Sequence, residues 1–437
     1  MNGLIMAAQL ILGLSILVIL HEFGHYIAAR AFGIKVEKFF LFFDAWGVKL
    51  FKLKRGDTEY GIGWLPLGGY VKIAGMIDES MDREQLKKPP EPWEFRSKPA
   101  WQRLIVMVSG VLMNLILGIV IFSFILLKFE KQYLPNSEIK DGIYAYKLGR
   151  DVGYQSGDQI VAINGKTFHR FKDVQSTNIM LGATITVNRN GSLINIEIPD
   201  TFYRTISKGE RGYIIEPLNF EFTLDSILPG SNAEKSGLKK GDKVLTFGKT
   251  LINSWGGFNE SVYSSPGRNT DIKILRGTDT LNLDITVDSN GAIGVFRSPI
   301  PYKLKNYTIG KAFQYGYKDA IEILVANIRG FGKILSGKEN ASDSVMGPIG
   351  IAKIYGAVWD WHKFWVITGL LSLILAFMNI LPIPALDGGH VIFLTIETVT
   401  RRRFSDKFME KVQIIGMIIL ITLMVLVIGN DIFKLFK

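Results

Sequence analysis

Residues 4–20 carry no charged side chain and run directly into His21-Glu22-Phe23-Gly24-His25, so an apolar stretch of membrane-helix character ends in three ionisable groups. Such groups are costly in a membrane helix unless they bind something or line a wet cavity. A secretory signal would carry a basic leading region and small residues at a cleavage site, and neither is present, so the stretch reads as a retained first transmembrane helix. Three further stretches can cross a hydrocarbon core of about 30 Å at about 1.5 Å per residue. They are 104–127, uncharged throughout; 364–381, which runs into Pro382 and Pro384; and 412–428.

Charge orients these spans. Of 437 residues, 51 are Lys or Arg and 40 are Asp or Glu, a formal charge of +11 that could suggest nucleic acid. The basic residues gather beside the apolar stretches, however, where the positive-inside rule explains them, and no nucleic-acid partner is expected. Residues 35–103 and the loop bearing Arg401, Arg402, Arg403, Lys407 and Lys411 are therefore assigned to the cytoplasm. That puts 128–363 and both termini outside. With no cysteine, disulfides, iron–sulfur centres and Cys zinc fingers are excluded, and a metal site must draw on carboxylates and on His21, His25, His169, His362 and His390.

Residues 128–363 alternate short apolar runs with Gly, Asn and Asp turns, the pattern of β-rich structure. They also contain a repeat. Ser156-Gly157-Asp158-Gln159-Ile160-Val161-Ala162-Ile163-Asn164-Gly165 realigns with Lys240-Gly241-Asp242-Lys243-Val244-Leu245-Thr246-Phe247-Gly248, 84 residues on, which implies two tandem domains of PDZ size. Residues 46–60 and 62–73 read as strands punctuated by Gly56-Asp57 and Gly68-Gly69, a small sheet on the cytoplasmic surface. The expected fold is a polytopic α-helical membrane protein: four transmembrane helices, a small cytoplasmic membrane-associated β-sheet, and two tandem extracytoplasmic β-rich PDZ domains. The chain divides into the first transmembrane helix (1–33), the cytoplasmic β region (34–103), the second transmembrane helix (104–127), PDZ domains at 128–220 and 221–300, and a linker with an amphipathic segment (301–363). The third transmembrane helix (364–400), a cytoplasmic loop (401–411) and the fourth helix (412–437) follow.

His21 and His25 are four apart, so a helix projects them from one face, where they can grip one ion while Glu22 activates a water. This is the HExxH arrangement of zinc hydrolases. A catalytic zinc site needs a third protein ligand, leaving one position open. Asp387 is the best candidate: it lies in Asn379-Ile380-Leu381-Pro382-Ile383-Pro384-Ala385-Leu386-Asp387-Gly388-Gly389-His390, where prolines and glycines free the backbone. His390 is the alternative. Depth agrees, since residues 4 to 21 cover about 26 Å of helix from the outer face and 364 to 387 about 35 Å in the same direction. His169 and His362 read as surface residues.

With these motifs in order, the chain resembles the site-2 protease family of intramembrane zinc metalloproteases, and within it the bacterial branch with two PDZ domains. The resemblance also rests on Leu67-Gly68-Gly69-Tyr70-Val71-Lys72, on Lys98-Pro99-Ala100-Trp101-Gln102-Arg103 and on Gly347-Pro348-Ile349-Gly350-Ile351. It implies Zn2+ held by His21, His25 and Asp387, Glu22 as the catalytic base, and Asn379 in contact with substrate or orienting the site. Asn114, Gly68, Gly69 and Tyr70 join the expected substrate-binding set, the last three because an unwound substrate would pair as a strand along 68–73. The chain departs from the family where Gly110-Val111 replaces Gly-Pro, and where Phe247-Gly248 replaces Ile-Asn-Gly in the second repeat. The resemblance further implies a bacterial cytoplasmic (inner) membrane location, and single-span membrane substrates such as an anti-sigma factor or remnant signal peptides. An upstream site-1-type protease would make the first cut, the outer domains excluding untrimmed substrates. A membrane-anchored PDZ scaffold with an idle site is the alternative from another class; the intact Glu22 argues against it. A metal-ion transporter would need more polar residues within the spans.

Overall fold

The structure is a computed structural model that describes residues 2–66, 68–76, 89–207, 214–218, 222–298, 302–340 and 345–434. Leu67, part of the resemblance above, lies outside the described residues. The chain forms two compact units, one of Met1–Lys131 with Tyr307–Lys437 and one of Gln132–Asn306.

In the first unit, four helices among the described residues have the length and apolar composition to cross a membrane: Asn2–Ala31, Ala100–Glu130, Trp361–Ile380 and Lys407–Phe433. Among the described residues its regular helices are α1 (Asn2–Ala31), α2 (Ala100–Ile125), α3 (Ile309–Leu335), α4 (Pro348–Tyr355), α5 (Trp361–Ile380), α6 (Asp387–Thr400) and α7 (Asp406–Phe433). Ile105, Leu112, Ile116, Val120 and Phe124 stay exposed along one side of α2, as lipid-facing residues do. Its other side carries Gly110 into close contact with α1, where a side chain on Gly24 would meet the Ser109 carbonyl at 2.4 Å.

Residues 364–400, expected as one span, are two helices. Leu381 is forced into extended backbone by the proline that follows it, and Ala385 turns the chain at φ +78° before α6 begins at Asp387. Gly388 and Gly389 let this loop fold back on the start of α6, because a Cβ at Gly388 would sit 2.2 Å from the Leu381 carbonyl. A straight-helix estimate of about 35 Å therefore overstates the depth of Asp387. The last span likewise begins earlier than 412, with Ser405 capping the Phe408 N–H.

Between α1 and α2 lies a four-stranded sheet in the order β2-β3-β1-β4: β1 (Val36–Leu41), β2 (Lys49–Arg55), β3 (Thr58–Gly63) and β4 (Tyr70–Ile73). The Gly56-Asp57 turn closes the β2–β3 hairpin, β1 runs parallel to β3, and β4 pairs antiparallel with β1 as an edge strand. Strand β1 goes beyond the sequence expectation. Sheet, α1, α2 and α6 share one core of Ala29, Ile34, Val36, Ile73, Val106, Met107 and Leu394.

Two polar devices fix the helices around the bundle. Asp431 near the end of α7 accepts from the N–H groups of Gly347 and Gly350, both at 2.9 Å, and so caps α4. Arg103 of α2 reaches Glu397 of α6 at 2.6 Å, with both side chains about nine-tenths buried. Removing one partner of such a pair leaves an uncompensated buried charge. Glu397→Leu is expected to cost about 3–5 kcal/mol of unfolding stability in detergent, and adding Arg103→Met to restore most of it. A double variant no more stable than the single one contradicts this reading.

The second unit holds two β-rich lobes with separate cores, one around Ile160, Ile185, Val187 and Ile196, the other around Val244, Ile272, Ile274 and Ile285. In the first lobe β5 (Gln159–Ile163), β6 (Ala183–Arg189) and β7 (Ser192–Ile198) form an antiparallel sheet. In the second, β8 (Lys243–Phe247), β9 (Thr250–Leu251), β10 (Asn269–Arg276) and β11 (Asp279–Thr286) run in the order β9-β8-β10-β11. The sequence repeat has a structural meaning. Asp158 and Asp242, both fully buried, each take a bidentate pair of bonds from an arginine at the end of a neighbouring strand, Arg189 and Arg276 respectively, at 2.7 and 2.8 Å. Each also caps a backbone N–H three residues earlier, at Gln155 and Lys239. A buried, fully bonded carboxylate of this kind requires Asp at both sites.

The lobes meet at Glu260, on the helix Trp255–Tyr263, which accepts from Arg150, from the Tyr144 hydroxyl at 2.7 Å and from the Lys147 N–H at 3.0 Å. Burial opposes its charge, but these donors outweigh burial and hold its carboxyl below the ordinary glutamate range. Burial and the same carboxylate push Tyr144 up to about 12. A lowered folded-state pKa gives stability that is present above the unfolded value of about 4.3 and is lost as pH falls through the folded one. Acid is therefore expected to loosen this junction below about pH 4.3, by at most about 1 kcal/mol because Arg150 is half exposed. Hydrogen exchange across 144–150 and 255–263 reads it out, and Glu260→Gln should remove the acid step; an unchanged step assigns it elsewhere.

Candidate metal centre

Helix α1 puts His21 and His25 one turn apart, and the 381–386 turn brings Asp387 against them. Nε2 of His21 lies 3.2 Å and Nε2 of His25 lies 3.4 Å from Asp387 Oδ2, and the two Nε2 atoms are 3.3 Å apart. Among the described residues, these three form the one group of three His, Cys or carboxylate donors close enough to share an ion.

The geometry fits zinc. Ligands about 2.0–2.1 Å from a tetrahedral centre stand about 3.3–3.4 Å from one another, which is the spacing seen here. Asp387 Oδ2 is buried without a hydrogen-bond donor. His25 Nδ1 is 2.8 Å from the Val106 carbonyl, which can only accept, so the proton is on Nδ1 and the lone pair of Nε2 faces the group. Lone pairs crowded at this distance call for a cation among them. His390 is not part of the group and bonds Gln413 instead. His169 and His362 are exposed, the latter stacked on Phe129.

Gly110 makes room for the rings. A Cβ there would lie 2.2 Å from His25 Nε2 and 2.8 Å from His21 Cε1. Glu22 follows His21 on α1, and its carboxylate takes a hydrogen bond from the Val71 N–H of β4. The edge strand and the acid of the HExxH motif are thus in contact, a link with no signature in sequence. Val106 could not have been singled out either, since any residue offers a carbonyl, and Gly110, noted in the sequence only where Gly110-Val111 replaces Gly-Pro, carries no sign there that it faces the two histidine rings.

The remaining expected residues fall in two places. Asn379 Nδ2 is 3.3 Å from His21 Nε2, and Asn114 Nδ2 is 3.3 Å from His21 Nδ1. Gly68, Gly69 and Tyr70 lead into β4. Gly68 has φ +143°, a region open to glycine, and a Cβ on Gly69 would meet Val18 of α1 at 2.9 Å. The Tyr70 hydroxyl donates to Asp44 at 2.7 Å and accepts from Lys38 at 3.1 Å.

Apolar spanning helices around two histidines and one carboxylate, with an adjoining glutamate, define a membrane metallohydrolase. The model of peptidase family M50 matches residues 9–423. The chain is 29% identical to the regulator of sigma E protease of Haemophilus influenzae, over 97% of this chain and 98% of that protein. It is 28% identical to protease RseP of Yersinia pestis and 28% identical to the regulator of sigma-E protease RseP of Escherichia coli, each over 98% of both chains. The chain belongs to peptidase family M50, the site-2 protease family, and is a zinc metalloprotease.

Proposed function

We propose that this protein hydrolyses peptide bonds in or near the transmembrane segments of single-span membrane proteins, after another protease has made a first cut. The observation that carries the reading is the convergence of His21, His25 and Asp387 at zinc-ligand spacing beside Glu22, among helices of membrane-spanning composition. His21, His25 and Asp387 hold the metal. Bound zinc supplies Lewis acidity, which brings the pKa of a water toward about 7 and polarises a carbonyl. Glu22 takes the proton from the attacking water and delivers it to the leaving amine nitrogen, so no covalent enzyme intermediate forms. The Asn379 amide, beside His21 Nε2, is in reach to donate to the carbonyl oxygen as negative charge develops on it.

A helical substrate hides its carbonyls in internal hydrogen bonds and must unwind. Edge strand β4 offers backbone groups for an extended segment, with Gly68, Gly69 and Tyr70 leading it to the site and the Val71 N–H already at Glu22. In this reading the sheet and the metal lie toward the cytoplasmic face of a bacterial inner membrane. The two lobes of Gln132–Asn306 are PDZ-type domains outside it, which filter substrates by size. Two relatives are named for regulating sigma E, which supports an anti-sigma factor as one substrate.

The test is cleavage of a truncated single-span reporter by the purified full chain in detergent. Stripping zinc with a chelator should abolish the cut and zinc re-addition restore it, with mass spectrometry placing the new termini in or beside the apolar segment. Undiminished cleavage after zinc removal overturns the proposal.

A further inference from the structure

We infer that Asn114 is a positioning residue for zinc: its side-chain oxygen accepts the proton of His21 Nδ1 and so turns the lone pair of His21 Nε2 toward the metal. The two histidines have the same requirement and meet it differently. A histidine that ligates through Nε2 must carry its proton on Nδ1, and that proton needs an acceptor. For His25 the Val106 carbonyl provides it at 2.8 Å. For His21 the group facing Nδ1 is the Asn114 amide, at 3.3 Å.

That amide faces the ring with Nδ2, which leaves its Oδ1 buried with no hydrogen-bond partner in a side chain that is 1% exposed. Were Nδ2 to donate to Nδ1, the proton of His21 would sit on Nε2 and face Asp387 Oδ2, 3.2 Å away. In that state His21 would be no ligand. A half-turn of the carboxamide exchanges oxygen and nitrogen at almost no steric cost. The oxygen then receives the Nδ1 proton, the orphaned acceptor is satisfied, and Nε2 is free to ligate. One amide therefore serves both tautomers, and loading the metal selects the one with oxygen toward the ring.

The backbone around Asn114 is held independently of its side chain, since the Ser372 hydroxyl of α5 donates to the Asn114 carbonyl at 2.7 Å. This allows helix packing to be separated from ring orientation. At 1% exposure the side chain is also poorly placed to meet a substrate.

The experiment measures zinc affinity of the full chain in detergent by competition with a chromophoric chelator, alongside KM and kcat on the truncated reporter. Asn114→Leu, which has no acceptor, is expected to weaken zinc binding about 10–100-fold. Asn114→Asp, which can only accept, should stay within about threefold of the parent, as a carboxylate behind a zinc-bound histidine does. Ser372→Ala should leave zinc affinity unchanged. If Asp weakens binding as much as Leu, the amide N–H is the operative group and the inference fails. It also fails if both variants raise KM with zinc affinity intact, which marks a substrate contact, or if Ser372→Ala matches Asn114→Leu, which marks packing. Should the Leu variant not fold, Asn114→Ala carries the same expectation. The inference rests on the zinc reading of the site, and the two are distinguishable: a parent chain that binds no zinc sinks that reading, whereas a Leu variant that binds as well as the parent sinks only this one.

Discussion

Glu22→Gln is expected to cut kcat on a truncated single-span reporter by about 10²–10⁴-fold, with KM, zinc content and thermal stability near those of the parent. Glutamine keeps the length and shape of the side chain and still offers an oxygen to the Val71 N–H, so the link between α1 and β4 survives. The three proposed metal donors are untouched. What is lost is basicity alone, since an amide cannot take a proton from water. Single-turnover cleavage with one zinc bound per chain is the decisive measurement. A variant that loses zinc as well assigns Glu22 to holding the site together; a variant that cuts at the parental rate removes it as the base. A chain whose glutamate served only structure would pass this substitution with little change, which is why it also separates a protease from a membrane-anchored scaffold.

Much of this site is legible in the sequence because its parts follow short-range rules. Four-residue spacing on a helix brings His21 and His25 together, and prolines at 382 and 384 announce a break that lets Asp387 turn inward. The repeat at Asp158 and Asp242 is likewise local. Partners that arrive from elsewhere in the chain are not legible: Arg189 and Arg276 answer those aspartates from 31 and 34 residues away, and Glu397 answers Arg103 across 294. Strand β1 escapes the pattern search for a different reason. Val36–Leu41 lies between β3 and β4 and its apolar residues do not alternate cleanly, the usual condition of a central strand. The depth of Asp387 escapes a straight-helix estimate because the chain turns at Ala385. Helix α3 reads as amphipathic, yet its seat against α2 depends on Gly316 meeting Ser123, where a Cβ would come within 2.3 Å of the hydroxyl. A glycine carries no pattern that says which neighbour it admits.

Gly110→Ala turns that last point into the second large expected effect. The added methyl would lie 2.2 Å from His25 Nε2, 2.7 Å from His25 Cε1 and 2.8 Å from His21 Cε1, all well inside van der Waals contact. Moving the helices apart instead would open the close contact in which Gly24 on α1 rests on the α2 backbone at Ser109, and forfeit that packing. The rings must swing, and a swing that relieves the methyl breaks the 3.2–3.4 Å triangle with Asp387 Oδ2. Losing the placement of two of the three proposed ligands is expected to lower zinc affinity by more than the roughly 10–100-fold typical of disturbing one supporting contact, with cleavage lost in parallel at limiting zinc. Unwinding of α2 cannot account for such a loss, since alanine favours a helix over glycine by about 1 kcal/mol. Gly330→Ala supplies the control: its Cβ would meet nothing within 4 Å, so that variant should bind zinc as the parent does. Parental zinc affinity in Gly110→Ala would show that the histidines have another way to reach the metal, and the close approach of α1 and α2 would then be a matter of packing alone.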